Sequence, residues 1–539
     1  MQSIGDSTGN GGRSRRLAAF ACLLITTGCG RSVPDSPTSK SSLALPVSID
    51  ATSRNVETFC GTCHPVPPPE TFPASSWREE VVRGFKLCEE SGKHLDLPSQ
   101  EGVVKYYLER APKALPALRE FTTDSPPDYW KPVKVADDRS RDDPPAVANV
   151  RFVHLFDDRK LDVLICEMAS GQIQVLRPYE SPPRYSVIAK NLFHPAHAEV
   201  VDLDGDGFKD VLVADLGSYL PTDSKLGSVI WLRANKTGGF STIPLAFDLG
   251  RVADVQAADF DGDGDKDLVV AVFGWHKQGE ILYLENRSNP ADPTHPVFAP
   301  RSIDSRHGTI HVPVADLNGD GRPDFVALLG QEHETVVAFL NEGGGQFTQR
   351  TIFKAPHPAF GSSGITLVDL DHDNDLDVLL TNGDVMDAPL LRPDQGVRWL
   401  ENRGDYPFRE HLLATLYGAH RAVAADLDGD GDVDIAACSF LPPSLFGKTR
   451  RESQLDAIVI LEQVKTGSFL RRSLETIHCD HPTCDLGDFD GDGLSDLVVG
   501  RFLDHDPQDI AEAAAPDAPT GRILLWKNTG KPVKGVTAP

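Results

Sequence analysis

The stretch that most limits what this chain can fold into is the nonapeptide Asp202-Leu-Asp-Gly-Asp-Gly-Phe-Lys-Asp210. Carboxylates stand at places one, three, five and nine (Asp202, Asp204, Asp206, Asp210), and the carbonyl of Phe208 at place seven can complete an oxygen cage. A hard oxygen cage of this size suits Ca²⁺, and the sixth-place Gly207 allows the tight turn it needs. The pattern returns five times, and each copy supplies its own four oxygen side chains. They are Asp259, Asp261, Asp263 and Asp267; Asp316, Asn318, Asp320 and Asp324; and Asp369, Asp371, Asp373 and Asp377. The last two sets are Asp426, Asp428, Asp430 and Asp434, then Asp488, Asp490, Asp492 and Asp496. Asn374 takes the sixth place in the fourth copy, and Asn is the next best residue after Gly at positive φ.

The copies begin at 202, 259, 316, 369, 426 and 488, so the period is 53–62 residues. Starting 48 residues before Asp202, His154-Leu-Phe-Asp-Asp-Arg-Lys-Leu-Asp162 is a degenerate copy that keeps the final Asp and spoils the cage. Short apolar runs flank each loop, such as Val255–Phe260 and Leu268–Phe273, and a third run such as Ile281–Leu284 recurs seven times. In three copies Glu-Asn or Lys-Asn follows that third run: Glu285-Asn286, Glu401-Asn402 and Lys527-Asn528. Four short strands per unit, seven times over, predict a mainly β fold, a seven-bladed β-propeller. Solenoid repeats are far shorter, and modules of this size would not fold singly.

The N-terminus reads differently. Arg13–Arg16 are basic, Leu17–Thr27 are apolar or small, and Gly28-Cys29 follows. This pattern is a secretory signal too short to span a membrane. Its end resembles a bacterial lipoprotein signal, with Cys29 as the residue to be acylated, although Thr26 stands where such signals prefer Leu. Lipidation of Cys29 and plain cleavage both remain open. The expected location is the periplasm or cell envelope. Residues 1–28 are the signal and 29–49 a Ser- and Pro-rich tether.

Cys60-Gly-Thr-Cys63-His64 has the spacing of a c-type haem attachment site. Cys60 and Cys63 would bond the haem vinyl groups, and His64 would be the proximal iron ligand. A redox dithiol or half a zinc site are the alternatives, but no second Cys pair follows within the next 100 residues. A short helix should lead into Cys60, with further helices over Ser76–Glu90 and Gln100–Arg110. Residues 50–115 thus resemble a small class I cytochrome c domain. Such domains usually take Met as the sixth ligand, yet the mature chain's Met168 and Met386 both fall in the propeller. His94, Cys88 and Lys93 are the candidates here, His94 first.

Residues 116–129 form a linker and 130–539 the propeller. The last blade runs out of chain for a fourth strand. Trp130–Val135 should supply it, since closing the ring removes an exposed edge. With their strands, the nonapeptides resemble FG-GAP (VCBS) repeats, as in integrin-α propellers, and the whole chain is similar to bacterial proteins pairing a cytochrome c-like domain with such a propeller. The resemblance implies calcium in the loops and haem at residues 60–64. It names no substrate.

Net charge is −26, and six bound Ca²⁺ would neutralise nearly half of it, so nucleic acid is excluded as a natural partner. Cys479 and Cys484 are near enough in sequence for a disulfide. If the loops join strands one and two, the opposite face gathers His197, Asp254, His311 and His420 at the starts of strand one. It also gathers Asp215, His276, Glu332, His333, Glu334 and Asp384 at the ends of strand two. His311, His420, His333 and Asp254 are the candidate catalytic residues, suited to a transition metal or acid–base work. Polar, solvated loop ends are the plain alternative. Two functions compete: a lipid-anchored haem electron-transfer protein, with an oxidoreductase site or a redox partner at the propeller, and a calcium-dependent adhesion scaffold with an accessory cytochrome.

Overall fold

The computed structural model describes residues 53–530 except 63, 91–96, 120, 122–127, 136–143, 290, 291, 293, 294, 387, 504–506, 514 and 516–518. The signal and tether, Cys29, Cys63, Lys93 and His94 therefore lie outside the described residues. Three helices come first: α1 (Ser53–Cys60), α2 (Trp77–Glu90) and α3 (Gln100–Leu108). Ser99 caps α3 by accepting a hydrogen bond from Gly102 N–H at 3.2 Å. Val103, Val104 and Tyr107 share its inner face and pack on Val56, Phe72, Trp77 and Val81. Trp77 and Tyr107 stack with ring centroids 3.7 Å apart.

The rest is a seven-bladed β-propeller of antiparallel sheets. Blades 1 to 6 span 147–189, 195–249, 252–304, 309–354, 362–415 and 419–476. Blade 7 takes three strands from 483–528, and Trp130–Val133 pairs antiparallel with its outer strand, from Trp130 opposite Asn528 to Val133 opposite Leu525. The expected closure is thus formed. Strand two of every blade is buried along its whole length, as in Asp267–Val272, because neighbouring blades cover both of its faces. Apolar clusters accordingly bridge blades: Leu203, Leu212, Val252 and Leu268 join blades 2 and 3. Strand one of blade 4 breaks into Thr309–His311 and Val314–Ala315 around Pro313, which has no N–H to give the ladder.

The Asn after strand three is a pin. Asn341 Nδ2 donates to Phe260 O in the neighbouring blade at 2.9 Å and to Pro323 O at 3.1 Å. Asn528 Nδ2 reaches Leu427 O in blade 6 at 2.6 Å, and Gln463 Nε2 reaches Leu370 O in blade 5 at 3.4 Å.

Two features were not legible beforehand. Helices α4 (Pro443–Glu452) and α5 (Pro507–Ala513) sit between strands two and three of blades 6 and 7, where Ser444 N–H donates to Asp509 Oδ1 at 3.1 Å. The Cys479–Cys484 disulfide is absent, and both thiols are free. Cys479 packs under blade 6 with its thiol toward Asp456 O at 3.5 Å, while Cys484 on strand one of blade 7 faces Cys438. The change from linker to strand turns the two side chains to different neighbours. No described helix is long and apolar enough to cross a membrane.

Candidate functional site

Each nonapeptide is the turn from strand one to strand two, as in Pro195–Val201 and Asp210–Asp215. The first-place carboxylate accepts the sixth-place N–H in all six loops, at 2.9 Å for Asp202 and Gly207 and at 2.8 Å for Asp488 and Gly493. The fifth-place carboxylate accepts the seventh-place N–H, at 3.0 Å for Asp206 and Phe208. These bonds require positive φ at places four and six, supplied by glycines elsewhere and by His372 (60°) and Asn374 (72°) in the fourth loop. Asn374 behaves as its type suggests, whereas His372 at place four gave no warning.

The turns bring carboxylates together. One oxygen each from Asp202, Asp204 and Asp206 lies within 4.8 Å of the others, as do those of Asp259, Asp261 and Asp263. Asp369, Asp371 and Asp377, and Asp426, Asp428 and Asp434, do the same with the ninth place included. The other two loops, with Asp316, Asn318, Asp320 and Asp324, and with Asp488, Asp490, Asp492 and Asp496, repeat the same turn bonds. Oxygen donors crowded in this way fit Ca²⁺. Their negative field also draws basic side chains: Arg233 meets Asp204 at 2.6 Å and Asp206 at 3.0 Å, and Lys527 meets Asp490 and Asp492.

The ninth-place Asp has a second job. Asp267 Oδ2 accepts Phe260 N–H at 3.1 Å and its Oδ1 accepts Asn286 N–H at 2.7 Å, tying the loop to the end of strand three. The same clamp occurs in every loop, and Asp162 of the degenerate copy retains it, with Tyr179 O–H replacing the second donor at 2.8 Å. That explains why the final Asp survives where the cage does not. Burial pushes Asp210 and Asp377 up to about 6, and Asp434 and Asp496 up to about 7.

At the opposite face, strand register arranges the innermost residues in rings around the axis. Asn149, His197, Asp254, His311, Gly364, Arg421 and Thr483 each pair with the fifth residue of strand two. The next ring contains Arg151, Glu199, Gln256, Thr366, Val423 and Asp485, and the one nearest the acidic loops is small and apolar, as at Val201 and Ala258. Ring members touch the next blade. His197 Nε2 lies 3.2 Å from Asp254 Oδ1, His311 Nδ1 lies 3.8 Å from Asp254 Oδ2, and Arg151 pairs with Glu199. Burial opposes the charge of Asp254, yet His197, His311 and the Val312 N–H hold its carboxyl well below the usual range. Alternating polar residues in strand one were a signal for Arg151, Glu199, Arg421 and Asp485 that the loop-based reading passed over.

The expected single funnel of imidazoles divides. His197, Asp254 and His311 form one network. His420 is half-buried beside blade 7, its Nδ1 donating to Pro482 O at 2.7 Å, and desolvation pushes it down to about 4. His333 sits at the rim with His307, ring centroids 5.1 Å apart. Glu334 is buried and accepts N–H groups from Gly361 at 2.9 Å and Ser362 at 3.0 Å, so it ties blade 4 to blade 5. His307 was missed because nothing in the sequence places a connector residue beside two strand ends.

Cys60 ends α1, half-buried against Tyr107. His64 Nδ1 lies 2.8 Å from Pro65 O. A carbonyl only accepts, so Nδ1 carries the proton and Nε2 is left as a donor to a metal, the arrangement a haem-ligating imidazole needs. The helices rest on Ala359 of the connector into blade 5 and on Ala388 and Leu390 of blade 5, on the face away from the acidic loops, and Leu118 and Phe121 of the linker pack against Tyr417 and Phe446 nearby.

Residues 202–270 and 316–380 match the family model of the FG-GAP-like repeat. Blades 2 to 5 thus contain FG-GAP-like repeats. Each matched stretch starts at one acidic loop and runs through the next to strand two of the following blade, so the sequence repeat straddles the structural blade. No curated protein matches the chain.

Proposed function

We propose that this chain is an exported c-type haem electron-transfer protein whose calcium-stiffened FG-GAP-like propeller holds a redox partner or small substrate on the face away from the acidic loops. The observation that carries the reading is the seating of the Cys60–His64 helices on that face, against Ala359, Ala388 and Leu390. Cys60, Cys63 and His64 would hold the haem, which supplies a one-electron redox change when bound. The half-buried Cys60 would bond the group beside Tyr107, and the Pro65 carbonyl orients His64. Ca²⁺ bound in the six loops would offset carboxylate repulsion and stiffen the turns between strands one and two. The N-terminal pattern supports a location in the cell envelope, with Cys29 as the anchoring residue.

A denaturing gel stained for haem peroxidase activity tests it. Wild type from a host with haem-attachment machinery should stain, and Cys60→Ala/Cys63→Ala should not. A colourless wild-type band overturns the haem assignment. A stained protein whose haem no small reductant or envelope redox protein reduces would favour the adhesion scaffold instead.

A further inference from the structure

We propose that His276, His307 and Glu332 form a transition-metal site on the rim between blades 3 and 4, distinct from the acidic loops. The three come from separate segments: the loop between strands two and three of blade 3, the connector into blade 4, and the loop between strands two and three of blade 4. One donor atom from each lies within 4.8 Å of the other two. His307 Nε2 and Glu332 Oε2 are 2.9 Å apart, and the His276 and His307 rings are 6.2 Å apart, centroid to centroid. All three are partly buried.

The backbone beneath them is held in place. His276 N–H and Lys277 N–H both donate to Asp223 Oδ1, at 2.9 and 2.8 Å. Gly308 N–H donates to Phe273 O, and Gly330 N–H to Gly308 O, both at 2.8 Å, which ties the His307 connector to both blades. Gly279 packs so closely on His307 that a Cβ there would come within 2.2 Å of its Cα. The neighbouring cation is already engaged, since Arg306 pairs with Asp304 at 2.6 Å.

A second observation points the same way. His333, whose ring lies 5.1 Å from His307, has a buried Nε2 with no hydrogen-bond partner among the described residues. A buried polar atom without a partner is costly, and a metal or its bound water at this cluster would satisfy it. Two imidazoles and one carboxylate are a donor set for Zn²⁺ or Fe²⁺; Ca²⁺ takes oxygen donors. Three protein donors leave a position open to water or to a small ligand arriving at the mouth face.

The test uses Zn²⁺ as probe on the full chain, stripped of metal and reloaded with excess Ca²⁺. It is run in wild type and in Cys60→Ala/Cys63→Ala, so that the Cys60 and Cys63 thiols cannot account for zinc and the result does not depend on the haem assignment. Calorimetric titration should show one Zn²⁺ per chain in both backgrounds. His307→Ala and Glu332→Gln should each weaken it about tenfold or more with bound Ca²⁺ unchanged, and His311→Ala should not. X-ray absorption at the zinc edge should show two imidazole ligands. No zinc beyond the calcium-saturated background, or equal affinity in folded Glu332→Gln, overturns the proposal. So does an absorption spectrum with oxygen ligands alone.

Discussion

Asn341 is 1 % exposed, and its side chain makes three hydrogen bonds, two within blade 4 and one that holds blade 4 to blade 3. Besides its bonds to Phe260 O and Pro323 O, its Oδ1 accepts Gly343 N–H at 2.8 Å. Asn341→Ala removes all three. At about 1 kcal/mol net per bond, with a small addition for the vacated volume, the loss is about 3–4 kcal/mol. Phe260 O keeps the Gly345 N–H at 3.2 Å, which holds the cost at the lower end of that range. A propeller of roughly 400 residues has an unfolding entropy near 0.8 kcal/mol/K, so Tm should fall by about 4 °C if it melts as one unit. The assay is differential scanning calorimetry in saturating Ca²⁺, with Glu342→Ala, an exposed neighbour, as control. A fall below about 1 °C, or the same fall in the control, would refute the view that this Asn pins blades together.

Chelating calcium should lower the propeller's Tm markedly while leaving the haem spectrum nearly unchanged; an unmoved melting curve, or fewer than about four Ca²⁺ per chain by elemental analysis, speaks against the cages. Replacing His311 and His420 by Ala should preserve calcium content and weaken partner or substrate binding on the mouth face. A double variant with full haem reduction activity would make those imidazoles structural. Burial pushes Glu334 up from 4.5 to about 8. The unfolded chain therefore releases this proton first, and stability from this group falls as pH rises between those values. Glu334→Gln should flatten that part of the pH–stability curve in calcium-saturated buffer; a parallel curve would show that Glu334 is ionised throughout.

Much of the architecture follows from local chemistry. The acidic nonapeptides announce themselves because a tight turn carrying convergent oxygens needs Asp or Asn and Gly at set places, whatever surrounds it. Their period, the apolar runs and the leftover strand at Trp130 determine seven blades and their closure, since an unpaired edge has only one partner available. Helices leading into Cys60 and over Trp77–Glu90 and Gln100–Leu108 follow from amphipathic spacing in the same way. What needed the tertiary structure is whatever depends on neighbours far along the chain. Asn341 reads as a strand end until Phe260 is found 81 residues away. Cys479 and Cys484 are five residues apart, yet they meet blade 6 at different places, Cys479 at Asp456 and Cys484 at Cys438. The histidines of the mouth share one face by sequence, but strand register and connector paths sort them into the Asp254 network, His420 on the Pro482 carbonyl and the His276–His307–Glu332 cluster. Spacing along one strand determines which ring a residue joins, whereas which side chains meet across rings depends on how adjacent blades pack.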